Sequence, residues 1–189
     1  IKVQKLFMKM NKYKKILIIG SDGYIGSALT NYLKKKKFKI TTLDTGYFRD
    51  GVIEKTHKSI LNIDVRTLKE NIIKKFDVVI FLAASQNDPS DTINPYKFYE
   101  ISKKYTLRVA KICKKNNIKF IFPSSCSVYG YGQNKFNEKS TTFPLTNYSK
   151  NKIEIEKELS KLADKNFSPI ALRFSTVFGF SPRIRLHKS

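Results

Sequence analysis

The chain has 189 residues, 41% hydrophobic and 28% charged, which suits one soluble α/β domain long enough to bury a sizeable core. It is strongly basic, with 37 Lys and Arg against 15 Asp and Glu and a net charge of +22. Only 6 of the basic residues are Arg, the side chain suited to bidentate phosphate and base contacts. The 31 Lys are scattered along nearly every segment, and with 13 Asn and many Ile they fit A/T-rich codon usage better than a nucleic-acid partner. No stretch reads as a transmembrane span, and the first 15 residues lack the apolar run of a signal peptide. Cys113 and Cys126 have no metal-like spacing, so a reduced, cytoplasmic protein without a metal or membrane partner is expected.

Residues 1–14 form a basic leader that the spacing of elements leaves outside the fold. Lys15 to Gly20 is a β-branched apolar run, read as a buried strand. Gly20, Gly23 and Gly26 follow, and then SALTNYLKKKK carries on as a helix. Strand, glycine turn and helix is the context in which this spacing signals a dinucleotide site. Gly20 allows the tight turn, Gly23 lets a pyrophosphate approach the backbone, and Gly26 lets the helix pack close on the sheet. The helix N-terminus offers free N–H groups to the phosphates, with Tyr24 and Ile25 in its first turn.

A second strand spans 39–44 and ends in Asp44, 18 residues beyond Gly26. That offset suits a carboxylate accepting from both ribose hydroxyls, which favours NAD over a 2′-phosphorylated cofactor. The alternative for Asp44 is a turn-forming residue ahead of Thr45-Gly46. Residues 45–58 read as loop, and a third strand spans 59–64, placing Asp64 and Val65 to meet the adenine edge. A helix over 66–75 is predicted from Leu68, Ile72 and Ile73. The run 78–84 is a fourth strand, apolar throughout as in a sheet covered on both faces, and Leu82, Ala83 and Ala84 at its end leave room for a cofactor. A polar connection (85–95) leads to a long helix over 95–116, then a fifth strand over 119–125. The irregular segment 127–146 is of the kind that carries function on a rigid scaffold. A helix over 147–165 and a sixth strand over 169–175 follow. This alternation implies a parallel, doubly wound sheet with right-handed crossovers.

A Tyr and a Lys four residues apart share a helix face, where the ammonium can help a phenol of pKa near 10 do acid–base work. Moving that pKa to neutrality takes roughly 3 units, about 4 kcal/mol. Four of the 10 Tyr satisfy the spacing: Tyr32/Lys36, Tyr99/Lys103, Tyr131/Lys135 and Tyr148/Lys152. Only Tyr148 opens the helix after the fifth strand, whose end carries the Ser124-Ser125 pair. Both lie at the carboxyl edge of the sheet, where open α/β folds bind ligands. Context selects Tyr148 and Lys152.

With GSDGYIG, Asp44, NIDVR, FLAAS, SSCSVYG, NYSKNK and LRFSTVFG in order over about residues 15–183, the chain resembles the extended short-chain dehydrogenase/reductase family. The likeness is to its nucleotide-sugar epimerases and dehydratases. It implies a Rossmann-like domain over 15–180 that binds NAD, with 181–189 opening a smaller substrate domain that the sequence given largely lacks. It also implies Ser125 as the catalytic hydroxyl, Tyr148 as the acid–base, and Lys152 holding the nicotinamide ribose while depressing the Tyr pKa. Family 4,6-dehydratases carry an Asp–Glu pair after the catalytic hydroxyl, because eliminating water needs a further acid and base. Here Cys126 and Ser127 stand there, which disfavours that chemistry. The expectation is an epimerase resembling UDP-glucose 4-epimerases, acting as a homodimer through the helices at 95–116 and 147–165. A dehydratase, a reductase, or a dinucleotide-binding fragment without turnover are the alternatives. Ser102 stands where the family usually has Asn, four residues before Thr106, and Tyr105 replaces a common Gly.

Overall fold

The computed structural model describes residues 15–47, 60–83, 95–132 and 135–183. The 1–14 leader, most of the 45–58 loop, Ala84 and the connection 85–94 lie outside the described residues. Six strands form one sheet: β1 (Lys15–Ile19), β2 (Lys39–Asp44), β3 (Ile60–Asn62), β4 (Val78–Phe81), β5 (Lys119–Ser125) and β6 (Ile170–Phe174). Their order is β3-β2-β1-β4-β5-β6 and every neighbouring pair is parallel, the Rossmann-like α/β arrangement expected. The chain reverses its direction of winding between β1 and β4, so a crevice opens above the carboxyl ends of those two strands.

Alternation along the strands divides the core. Leu17, Ile19, Val79, Phe81, Phe120 and Phe122 face one side, where they pack with Val109, Ala110 and Cys113 of α3 (Pro95–Lys115) and Ile155 and Leu159 of α4 (Asn147–Leu162). Ile16, Ile18, Val78, Ile80 and Ile121 face the other, against Leu33 of α1 (Tyr24–Lys35). β4 is buried at all four positions, as its unbroken apolar sequence requires. Helices α3 and α4 are tied by Asn151 Nδ2 donating to the Tyr99 carbonyl at 3.0 Å and by Lys103 Nζ reaching Glu154 at 2.9 Å. None of the described helices is long and apolar enough to cross a membrane.

Two elements depart from expectation. The helix over 66–75 is split into a 3₁₀ turn (Val65–Thr67) and a single-turn α2 (Glu70–Ile73). Asp64 caps the start of the 3₁₀ turn, its Oδ1 accepting from the Arg66 N–H at 2.8 Å, and the break follows where Leu68 and Lys69 take extended backbone conformations. Arg108 of α3 then donates to the carbonyls of Val65 at 2.6 Å and Leu68 at 2.9 Å, fixing the chain in the broken form. The fourth strand stops at Phe81, because the N–H groups of Leu82 and Ala83 both turn to the Ile19 carbonyl, at 2.7 and 2.9 Å. Pro123 is tolerated inside β5 because pairing with β4 ends two residues earlier, at Ile80–Ile121.

Candidate active site

The first half of the site is the turn after β1. Gly20 leaves the strand at φ +88°, and a Cβ there would stand 2.5 Å from the Ala83 nitrogen. Conformation and the closeness of β4 both demand glycine. At Gly26 a Cβ would come within 2.2 Å of the Gly20 carbonyl oxygen. The helix thus lies close against the turn at the end of β1, with its Leu33 packed on the sheet. At Gly23 the same oxygen is the nearest atom, at 3.3 Å, and the outer side is open. Helix α1 begins there with no capping side chain and no acidic residue in its first turn. Its N–H groups and partial positive charge face the opening, so the residues present fit a diphosphate.

Asp44 braces this turn. Its Oδ2 accepts from the Asp22 N–H and its Oδ1 from the Gly46 N–H, both at 3.0 Å. Thr45 Oγ1 also donates to Oδ1, at 3.5 Å, so of the carboxylate's roughly four acceptor directions the capacity for a ribose hydroxyl remains chiefly on Oδ2. Asp64 is more fully engaged. Arg66 donates to it from the backbone and from Nε at 2.8 Å, and this pairing holds the carboxyl below its usual range. Val65, Leu82 and Ala83 are partly buried along the same edge, and so is Ile25 in the first turn of α1. Tyr24 is anchored elsewhere: its hydroxyl donates to the Gly179 carbonyl. Ser181 Oγ in turn donates to the Tyr24 carbonyl at 2.7 Å and lies 3.0 Å from Ser27 Oγ. Residues 181–183, expected to open a further domain, therefore begin packed on α1.

The second half lies where β5 meets α4. Thr146 and Ser149 form a reciprocal capping box that fixes the first turn of α4. Tyr148 in that turn is half-buried, and the Ser125 hydroxyl acts on its phenol to lower its pKa. Ser125 Oγ accepts from both the N–H and the hydroxyl of Ser127, at 3.2 and 2.9 Å. Those two donors fill its acceptor directions and leave its own proton for Tyr148 or a substrate oxygen. One turn along, Lys152 is 4% exposed, with Nζ 2.7 Å from the Pro123 carbonyl and 5.4 Å from the centre of the Tyr148 ring. Burial pushes its ammonium down to about 8, opposed by the charge of Glu156.

The expected depression of the Tyr148 pKa is absent in the chain alone. Burial holds the phenol above its ordinary value, the Ser125 hydrogen bond pulls it down, and the nearby Cys126 raises it again. Lys152 bonds a carbonyl rather than the phenol oxygen, so its charge is spent on Pro123 and on the ring face. The structure brings Ser125, Tyr148 and Lys152 together, and the glycine turn with Asp44. Sequence reasoning missed Ser127, Glu156 and Arg173. Glu156 had a readable signal, since it falls four residues after Lys152 on the same helix face.

Known proteins are similar to this chain in fold and sequence. A UDP-N-acetylglucosamine 4-epimerase from Methanobrevibacter ruminantium M1, solved with UDP-N-acetylmuramic acid, is 28% identical with a TM-score of 0.74, over 85% of this chain and 54% of that one. MoeE5, solved with UDP-glucose and NAD, is 25% identical with a TM-score of 0.73, over 87% of this chain and 55% of that one. The bifunctional polymyxin resistance protein ArnA of Wigglesworthia glossinidia brevipalpis is 29% identical over 174 residues, 87% of this chain and 27% of its own length. The chain thus spans about half the length of these solved relatives and about a quarter of the curated one. The model of the NAD dependent epimerase/dehydratase family matches residues 16–188, and the chain belongs to that family of enzymes.

Proposed function

We propose that this chain is the cofactor-binding part of an NAD-dependent nucleotide-sugar epimerase that inverts a hydroxyl-bearing carbon, as UDP-sugar 4-epimerases do. One observation carries the reading: Ser125, Tyr148 and Lys152 converge at the carboxyl end of β5, and Cys126 and Ser127 hold the positions where a dehydratase needs two carboxyl groups. Gly20, Gly23, Tyr24, Ile25 and Gly26 would cradle the diphosphate. Asp44 would take the adenosine ribose, with Asp64 and Val65 at the adenine edge and Leu82 and Ala83 leaving room for the cofactor beside the sheet. Tyr148 and Lys152 would hold the nicotinamide end. NAD bound there would supply the hydride acceptor and donor.

The protein's own work is proton handling and orientation. Ser125, with its acceptor directions filled by Ser127, would donate to the sugar oxygen and hold it in line with Tyr148. Tyr148 would take the hydroxyl proton as the carbon is oxidised and return it on reduction. Lys152, as a buried cation beneath the phenol ring, would stabilise the phenolate that Tyr148 must be before it takes the proton and becomes again after returning it. Association of two copies through α3 and α4 belongs to the same reading. The polar groups there, Glu100, Lys103 and Glu154 among them, make that contact salt-sensitive.

The test is NAD titration followed by turnover of UDP-glucose and UDP-N-acetylglucosamine, with products separated by configuration at C4. It is run on the full reading frame that contains these residues. Epimerised product that disappears in Tyr148→Phe, with NAD binding kept, is the expected result. A keto-deoxy product would make the protein a dehydratase. Turnover surviving Tyr148→Phe would remove Tyr148 from its role, and binding without turnover would leave a dinucleotide-binding module.

A further inference from the structure

Behind the Tyr148–Lys152 pair lies a second, buried constellation. Glu156 continues the same face of α4 at the next turn, so Tyr148, Lys152 and Glu156 form one stripe. Three consecutive residues of β5 answer that stripe. The Ser125 hydroxyl acts on the Tyr148 phenol, the Pro123 carbonyl accepts from Lys152, and Ser124 Oγ donates to Glu156. Ser124 is 3% exposed and stands opposite Arg173 in the β5–β6 register. Arg173 grips the same carboxylate with Nε at 3.1 Å from both oxygens and with a terminal nitrogen at 2.6 Å. Its other terminal nitrogen donates to Tyr129 Oη at 2.9 Å, and its guanidinium lies 5.0 Å from the centre of that ring. Tyr129 stacks on Phe136, with centroids 5.1 Å apart and planes within 4°. The network therefore joins α4, β5, β6 and the segment between Ser125 and Tyr148.

We infer that the Glu156–Arg173 pair is a positioning element for the Tyr148–Lys152 site. It fixes the register of α4 on β5, and it meters the negative charge that reaches the Lys152 ammonium. The side chains of Glu156 and Arg173 are 11% and 19% exposed, so their charges act through a poorly screened interior. Among the described residues no carboxylate bonds Lys152; the charge that supports it comes from Glu156, one turn away. Arg173 draws on that same carboxylate from the opposite side. Among the described residues, the titratable and charged groups acting on the Tyr148–Lys152 site are Glu156 on α4 and Cys126 from the segment after β5, with Arg173 from β6 and Tyr129 reaching it through Glu156. The role rests on the proposed acid–base function of Tyr148 only for its effect on turnover. The electrostatic part is measurable without substrate or cofactor.

Two substitutions separate metering from mere structural support. In Glu156→Gln the amide keeps the shape and one acceptor oxygen but loses the charge, so the Lys152 titration midpoint falls. In Arg173→Gln the carboxylate is no longer shared, so the midpoint rises. The readout is the side-chain ammonium resonance of isotope-labelled lysine followed against pH, assigned by its loss in Lys152→Met. Opposite shifts of half a pH unit or more are expected, and Arg173→Lys should return the midpoint most of the way. Shifts of the same sign, or none in both folded variants, would overturn the inference and leave the pair a structural brace. If either variant fails to fold, Glu156→Asn and Arg173→Met remove the same charges and carry the same comparison, and unchanged midpoints in both would be equally fatal. Opposite shifts in a protein that neither binds NAD nor turns over a nucleotide sugar would sustain the positioning claim and refute the enzymatic reading.

Discussion

The carbonyl oxygen of Gly20 lies where a side chain at Gly26 would have to go, only 2.2 Å from an added Cβ. The contact is backbone on backbone, with no flexible atom to give way. Gly26→Ala should therefore destabilise the fold by more than about 3 kcal/mol, or prevent folding. Gly23→Ala meets its nearest atom at 3.3 Å and should fold with a small loss of stability. Its added methyl would stand in the open cradle above α1 and weaken NAD binding at least tenfold. Urea unfolding and cofactor titration of the two variants give this contrast directly; equal unfolding losses would mean the cradle is misplaced.

Lys152 is held in the folded protein at about 8, against an ordinary value of 10.5. The sign follows from linkage. Between those two values the unfolded chain binds more protons at this site than the folded one, so its contribution to stability rises with pH there and the burial penalty is full below about pH 8. The difference is of the order of 3 kcal/mol. Lys152→Met should consequently be more stable than the parent near neutral pH, with the advantage shrinking as pH climbs toward 10.5. A variant uniformly less stable across that range would show that the Pro123 hydrogen bond outweighs the cost of burying the charge.

Ser127 gives two donors to the oxygen of Ser125. Removing the hydroxyl in Ser127→Ala keeps the backbone donor and frees one acceptor direction of Ser125. That lets its proton wander from the line to Tyr148. Loss of one neutral hydrogen bond of about 1.4 kcal/mol corresponds to a tenfold fall in kcat, with KM little changed and Ser127→Thr restoring the rate. A change in KM alone would assign Ser127 to substrate binding.

Asp44 has both a bracing and a recognising task. Asp44→Ala removes acceptors from the N–H groups of Asp22 and Gly46 and should cost about 1–3 kcal/mol of stability. Asp44→Asn keeps one acceptor oxygen, so it should fold better while relaxing the preference for NAD over its 2′-phosphorylated form. Melting temperatures and the ratio of the two dissociation constants measure the two tasks separately.

Much of this arrangement was written in local sequence. Apolar runs such as 78–81 and the alternation of strands with helices determine a parallel sheet, because a strand flanked by helical segments can bury both faces no other way. The spacing of Gly20, Gly23 and Gly26 and the placing of Tyr148 after β5 were likewise legible, since strand, turn and helix dictate where those residues emerge. Tertiary structure alone decided the rest. The break at Leu68–Lys69 was invisible in the helical spacing of Leu68, Ile72 and Ile73, because the carbonyls of Val65 and Leu68 are taken by Arg108 from another helix. The grip of Ser124 and Arg173 on Glu156 depends on which residues stand side by side on β5 and β6. Strand register is a property of the assembled sheet, and no periodicity within one segment encodes it.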